Sequence, residues 1–151
     1  MTKYCLGFMF NKNETDVLLI QKTKPVWQAG KFNGIGGKLE KDETPYGAMV
    51  REFKEETGLD SPLWKEVIKM YGDDWEVYVF TCKSDDVFDY KQMEGEEPNL
   101  LPVSDLDKYD LIDNLFWLIP MCLDRNINYR VSNVEFKNVQ KYCRNCANQR
   151  I

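Results

Sequence analysis

Residues 51–58, Arg51-Glu52-Phe53-Lys54-Glu55-Glu56-Thr57-Gly58, crowd three carboxylates into about one and a half helical turns. Upstream, Thr44 is a candidate N-cap and Pro45 takes the first helical position, where its missing N–H costs nothing. Gly58 is a stop that tolerates a left-handed turn. These signals predict a helix over residues 45–57. At about 100° per residue from Glu52, Glu56 falls near 40° and Glu55 near 300°. Tyr46, Val50, Phe53 and Thr57 gather between about 100° and 160° on the same wheel. One face is therefore apolar and fit to pack on a sheet, and the other is acidic.

An i,i+4 pair of glutamates destabilises an isolated helix by about a few tenths of a kcal/mol, and only Arg51 is placed to offset Glu55. A glutamate-rich face is ordinarily a solvated one with lysines interleaved. Here Lys54 falls between the two faces and leaves the acidic arc largely uncompensated. Converging carboxylates are ligands for hard divalent cations, Mg²⁺ or Mn²⁺, which retain waters and share their coordination with substrate phosphates. Gly34-Ile35-Gly36-Gly37, just before the helix, permits close backbone approach and lets carbonyls turn toward an ion. Glu43 is placed to reach back to Arg51 and fix this loop against the helix.

The 151 residues suit one domain with a single core, and 1–151 is read as such. No apolar run approaches the roughly 20 residues that span a bilayer, and the start lacks the pattern of a secretory signal. A cytoplasmic protein with no membrane association is expected. An odd count of five cysteines fits a reducing compartment, and the Cys143/Cys146 CxxC, with no histidine in the chain, reads as free thiols. A net charge of −5 without a basic stripe argues against a broad nucleic-acid surface, but not against one nucleotide.

Residues 4–10 and 16–22 read as a hairpin, residues 24–37 as loop-heavy, and residues 64–70 and 75–83 as paired strands. Residues 84–107 read as a long surface loop leading into a short strand at 100–103, which Pro102 confines to an edge. Asp113 or Asn114 is expected to cap a second helix ending at Leu123, with a last strand over 129–136.

Gly37, Glu43, Arg51, Glu52, Phe53, Glu55, Glu56, Gly58 and Leu59 fit G-x5-E-x7-R-E-U-x-E-E-x-G-U, U being bulky and apolar, without a mismatch over 23 residues. This pattern resembles the Nudix box. The resemblance implies an α+β Nudix fold, an α/β/α sandwich around a mixed β-sheet. It also implies a Mg²⁺-dependent hydrolase, with Mn²⁺ as a substitute, acting on a nucleoside diphosphate linked to another group. By position, Glu52, Glu55 and Glu56 would be metal ligands, with Gly37 or Gly36 offering a carbonyl. Arg51 and Glu43 would orient the carboxylates. The general base would come from the box or from a later loop, where Glu94, Glu96 and Glu97 are the candidates.

The segment from Trp27 to Lys38 resembles that of the MutT-type, oxidised purine nucleoside triphosphatase branch, in which Asn33 matches a base-reading asparagine. In a second segment Asp113 matches one base-contacting acid, Asn114 replaces another, and Leu111 stands where that branch has a stacking tryptophan. Asn33, Asp113 and Asn114 are equally turn-forming or helix-capping types. Lys22, Lys24 and Lys38 are candidates for the phosphates. The expected activity is cleavage of a nucleoside triphosphate, with a damaged or noncanonical base as one option, to monophosphate and pyrophosphate. The alternatives are hydrolysis of a nucleotide sugar or dinucleoside polyphosphate, and a Nudix-fold sensor that binds a nucleotide without cleaving it.

Overall fold

The computed structural model describes residues 1–126 and 129–132. Its strands are β1 Thr2–Phe10, β2 Asp16–Gln21, β3 Phe32–Asn33, β4 Ile35–Lys38, β5 Lys65–Tyr71, β6 Trp75–Lys83, β7 Glu97–Pro102 and β8 Tyr129–Ser132. The helices are α1 Pro45–Thr57 and α2 Leu115–Leu123. The sheet runs β3-β2-β1-β6-β5-β8 and is mixed: β1/β6 and β5/β8 are parallel, and the other pairs are antiparallel. Both helix-packing faces follow from strand alternation. In β1, Phe8 and Phe10 join the core with α2 residues Leu115 and Leu118. Cys5 and Met9 face the other way, into the core with Ala48, Met49 and Phe53 of α1. A helix on each face of a mixed sheet is the expected α/β/α sandwich.

Helix α1 has the expected bounds. The Thr44 hydroxyl accepts from the Gly47 N–H at 3.0 Å, and Gly58 closes the helix at φ 75° with its N–H on the Lys54 carbonyl. The helix lies close to the sheet because β1 carries Gly7 beneath it. A Cβ there would lie 2.5 Å from Met49 Cε and 3.0 Å from the Trp64 ring. Phe53 meets Trp64 edge-on at 4.8 Å, which locks the apolar face.

Several sequence expectations are corrected. Residues 24–37 hold two strands as well as turns: β3 pairs with β2, then β4 pairs with β1. Strand β2 diverges from β1 after the Met9/Leu18 register, and the chain from Phe32 to Lys38 fills the opening. The region 84–107 is less open than expected, with short 3₁₀ turns at Asp85–Asp89 and Val103–Lys108 and an edge strand that starts at Glu97. Strand β5 is shifted one residue later, and β2 ends one residue sooner. Asn114 occupies the N-cap position of α2 but has helical dihedrals and makes no side-chain capping bond. The expected continuation of β8 over 133–136 and the Cys143/Cys146 pair lie outside the described residues. Among the described residues, no helix is long and apolar enough to cross a membrane.

Candidate active site

The acidic face of α1 lies against β4, which places Gly37 directly beside Glu52. A Cβ on Gly37 would come within 2.5 Å of Glu52 Oε1, so only glycine leaves that carboxylate room. Gly36 is more constrained, because a Cβ there would collide with the Cys5 carbonyl oxygen.

Arg51 organises the acids. Its Nε and Nη2 donate to the two oxygens of Glu43 at 2.7 and 2.8 Å, a bidentate clamp. Nη1 donates to Glu52 at 2.8 Å and Glu55 at 3.3 Å, and Nη2 also reaches the Lys38 carbonyl at 3.3 Å. One guanidinium thus ties the end of the loop before α1, the end of β4 and the helix together. The two hydrogen bonds hold the Glu43 carboxyl below its ordinary range.

Glu56 is treated differently. It is mostly buried, its Oε2 has no hydrogen-bond partner among the described residues, and burial, followed by the charge of Glu52, pushes it up to about 8. Lys22 opposes that shift, while Glu96 and Glu55 add to it. Of the three later-loop acids, Glu96 is the one brought beside Glu56. It accepts from Lys22 Nζ at 2.8 Å, from the Thr23 hydroxyl at 3.1 Å and from the Thr23 N–H. The loop that carries it is tied to the helix end, where the Lys91 N–H donates to the Thr57 carbonyl at 2.8 Å. Glu94 and Glu97 are exposed, and Glu97 is paired in β7 with Gln21.

The three box glutamates do not converge as the spacing implied. Among the described residues, no three acidic or sulfur side chains are gathered as a cation cage, and Glu52 and Glu55 are turned to Arg51. The donor set still fits a hard divalent ion. It is all oxygen, includes a buried carboxylate with an unpartnered atom, and stands beside a glycine whose missing side chain leaves the approach open.

Gly36, Gly37, Lys38 and Lys22 also border a cleft of about 660 Å³ that runs over the sheet to Tyr4, Trp27, Gln28, Asn33, Trp75 and Asn114. Asn33, Asn114, Lys22 and Lys38 therefore share one cavity, whereas Asp113 does not line it. Lys24 does not line it either. Leu111 is buried in the core and bridges Phe32, so it offers the cleft no ring surface. Trp75, Gln28 and Tyr4 were not singled out by the sequence. Trp75 and Trp27 carry a faint signal as aromatic residues set in polar turns, with Trp27 half-exposed.

Residues 4–116 match the NUDIX domain family. The CTP pyrophosphohydrolase of Escherichia coli is 39% identical over 51 residues, 34% of this chain and 38% of that protein. A Caenorhabditis elegans protein named as a nudix hydrolase is 38% identical over 71 residues, 46% of this chain. The match spans only 19% of that second relative. Among solved structures, one from a study of MutT from Aliivibrio salmonicida and Vibrio cholerae has a TM-score of 0.68 at 21% identity, covering 80% of this chain and 96% of its own. An ADP-ribose pyrophosphatase from Streptococcus suis has a TM-score of 0.65 at 17% identity, covering 86% and 98%. With the domain match spanning most of the chain and the box glutamates mounted on α1 beside β4, the chain belongs to the Nudix hydrolase family.

Proposed function

We propose that the protein is a Mg²⁺-dependent pyrophosphohydrolase of the MutT type, cleaving a nucleoside triphosphate to a nucleoside monophosphate and pyrophosphate. The observation that carries this reading is Glu56, a mostly buried carboxylate with an oxygen unpartnered among the described residues and a value near 8, close to Lys22 at the border of a cleft lined by aromatic and amide side chains. Burying an uncompensated acid costs stability, which is reasonable only where a cation or a proton-transfer role compensates.

Glu52, Glu55 and Glu56, with a carbonyl of Gly36 or Gly37, would hold Mg²⁺ or Mn²⁺. When bound, such an ion screens phosphate charge and lowers the pKa of a coordinated water. The chain's own contribution is positional. Arg51 and Glu43 fix the helix to the loop, and Lys38 offers a positive charge at the cleft border. Glu96, held by Lys22 and Thr23 beside Glu56, is the later-loop candidate for accepting the proton of the attacking water, while Asn33 and Asn114 line the part of the cleft left for the base. The 39% identity to the segment of the E. coli CTP pyrophosphohydrolase supports a triphosphate. The fold of the S. suis ADP-ribose pyrophosphatase is the reason to keep linked diphosphates in the test.

The test is release of phosphate and pyrophosphate from normal and oxidised nucleoside triphosphates, dinucleoside polyphosphates and nucleotide sugars, with Mg²⁺, with Mn²⁺ and with EDTA. Metal-dependent pyrophosphate from triphosphates is expected, lost in Glu55→Gln and Glu56→Gln. Cleavage confined to linked diphosphates would transfer the assignment to that class. Nucleotide binding without any turnover would make the protein a sensor.

A further inference from the structure

Asn33 is already engaged by its own chain. Its Oδ1 accepts the Gly34 N–H at 2.8 Å, and since a backbone N–H only donates, the orientation of the amide is dictated. Nδ2 therefore points the other way, where it donates to Gln28 at 3.2 Å. The atom that receives this bond must be Gln28 Oε1, so the second amide is oriented in turn. Its Nε2, with two N–H donors, has no protein partner among the described residues. Gln28 lines the same cleft as Trp27 and Asn114. Its backbone is pinned on both sides, by its N–H on the Pro25 carbonyl at 2.9 Å and its carbonyl on the Lys31 N–H at 2.9 Å.

We propose that Gln28 is the specificity-determining residue of the cleft, donating N–H groups to a carbonyl-bearing base edge, with Asn33 as the positioning residue that sets its amide. This rests on the reading of the cleft as a nucleotide site. Donors at that place favour a base with acceptors on the facing edge, as 6-oxopurines have in O6 and N7, over 6-aminopurines, which put an amino donor beside N7. A site that pairs its polar groups with one base leaves them unpaired with the other, and that difference supplies the discrimination.

The experiment is titration of the full chain with GMP, IMP and AMP in EDTA, followed by the intrinsic fluorescence of the cleft tryptophans, together with kcat/KM for GTP and ATP in Mg²⁺. Wild type is expected to bind GMP and IMP more tightly than AMP. Gln28→Ala should weaken GMP and IMP by about tenfold while moving AMP less than about twofold. Gln28→Glu keeps the oxygen that Asn33 binds but removes the donors, and should lose the same preference with an unchanged melting temperature. Asn33→Ala should reproduce the pattern, and the double variant should be no worse than either single one. A GMP-to-AMP ratio that survives both Gln28 variants, or a wild type that binds none of the three nucleotides, would overturn the proposal. Because the binding arm needs no turnover, an inactive protein with the expected binding pattern would sink the hydrolase reading and leave this one standing.

Discussion

Arg51 grips Glu43 with two hydrogen bonds of 2.7 and 2.8 Å across eight residues of sequence, joining the loop after β4 to the middle of α1. A lysine keeps the charge but has no planar fork and cannot serve Glu43, Glu52 and the Lys38 carbonyl together. Arg51→Lys is expected to lower kcat/KM by about ten- to a hundredfold, the usual scale for losing a group that orients ligands. A Mg²⁺ titration of activity should show weakened metal affinity as well. Wild-type kinetics in the variant would mean that the clamp does not position the acids.

Gly36 and Gly37 are adjacent and should respond differently to the same methyl group. In Gly36→Ala the obstacle is the backbone of Cys5, which cannot yield, so a stability loss of about 2 kcal/mol is expected in chemical denaturation. In Gly37→Ala the obstacle is the end of the Glu52 side chain, which can swing away. That variant should melt near wild type and lose most of its activity. Equal effects on both properties in both variants would contradict this division.

The value of Glu56, near 8 against an ordinary 4.5, makes a signed prediction about stability. The folded value is the higher one, so the penalty is absent below about 4.5, grows as pH rises, and is complete above about 8. Without divalent ions, Glu56→Gln should therefore melt above wild type at pH 9, by an amount worth up to a few kcal/mol, and the gap should close toward pH 4.5. Melting curves in EDTA at several pH values decide it. A gap of constant size would show that ionisation of Glu56 is not its origin.

Glu14 gives the opposite sign. Hydrogen bonds from Lys83 and Arg125, at 2.8 and 2.7 Å, hold its carboxyl below the ordinary range and join the β1–β2 turn to β6 and to the segment after α2. Its stabilisation is present above the unfolded value and disappears as pH falls through the depressed folded one. Glu14→Gln should melt below wild type at pH 7, by less than about 1 kcal/mol for so open a pair of contacts. The two proteins should converge as pH falls through that depressed value, and a difference that persisted in acid would assign the effect to packing.

What the sequence disclosed about this fold was local. Thr44, Pro45 and Gly58 each act within one turn of their own position, and α1 has the expected bounds. The spacing of Arg51 from Glu43 and from Glu55 likewise led to contacts that the structure contains. β3 and β4 were missed because the glycines around the first and within the second suggest a loop, whereas the reasons for Gly36 and Gly37, the Cys5 carbonyl and the Glu52 carboxylate, are far away in sequence. Asn114 has the composition of a cap, yet it makes no capping bond and is instead one of the residues that line the cleft. Trp27, Gln28 and Trp75 become neighbours of one cavity only through the sheet order, which no short-range pattern encodes.

The chain from Phe32 to Lys38 passes from β2 to β1 as it fills the opening between them. Asn33 stands near one end of this segment and Gly37 near the other, four residues or about 13 Å apart along extended backbone. In the proposed function, base recognition and phosphate chemistry would therefore share one short lever, hydrogen-bonded along both of its halves. Under the proposed function, strain set up around Asn33 and Gln28 would be passed along the same piece of backbone that carries Gly37. Fidelity would then be a mechanical property of one seven-residue segment.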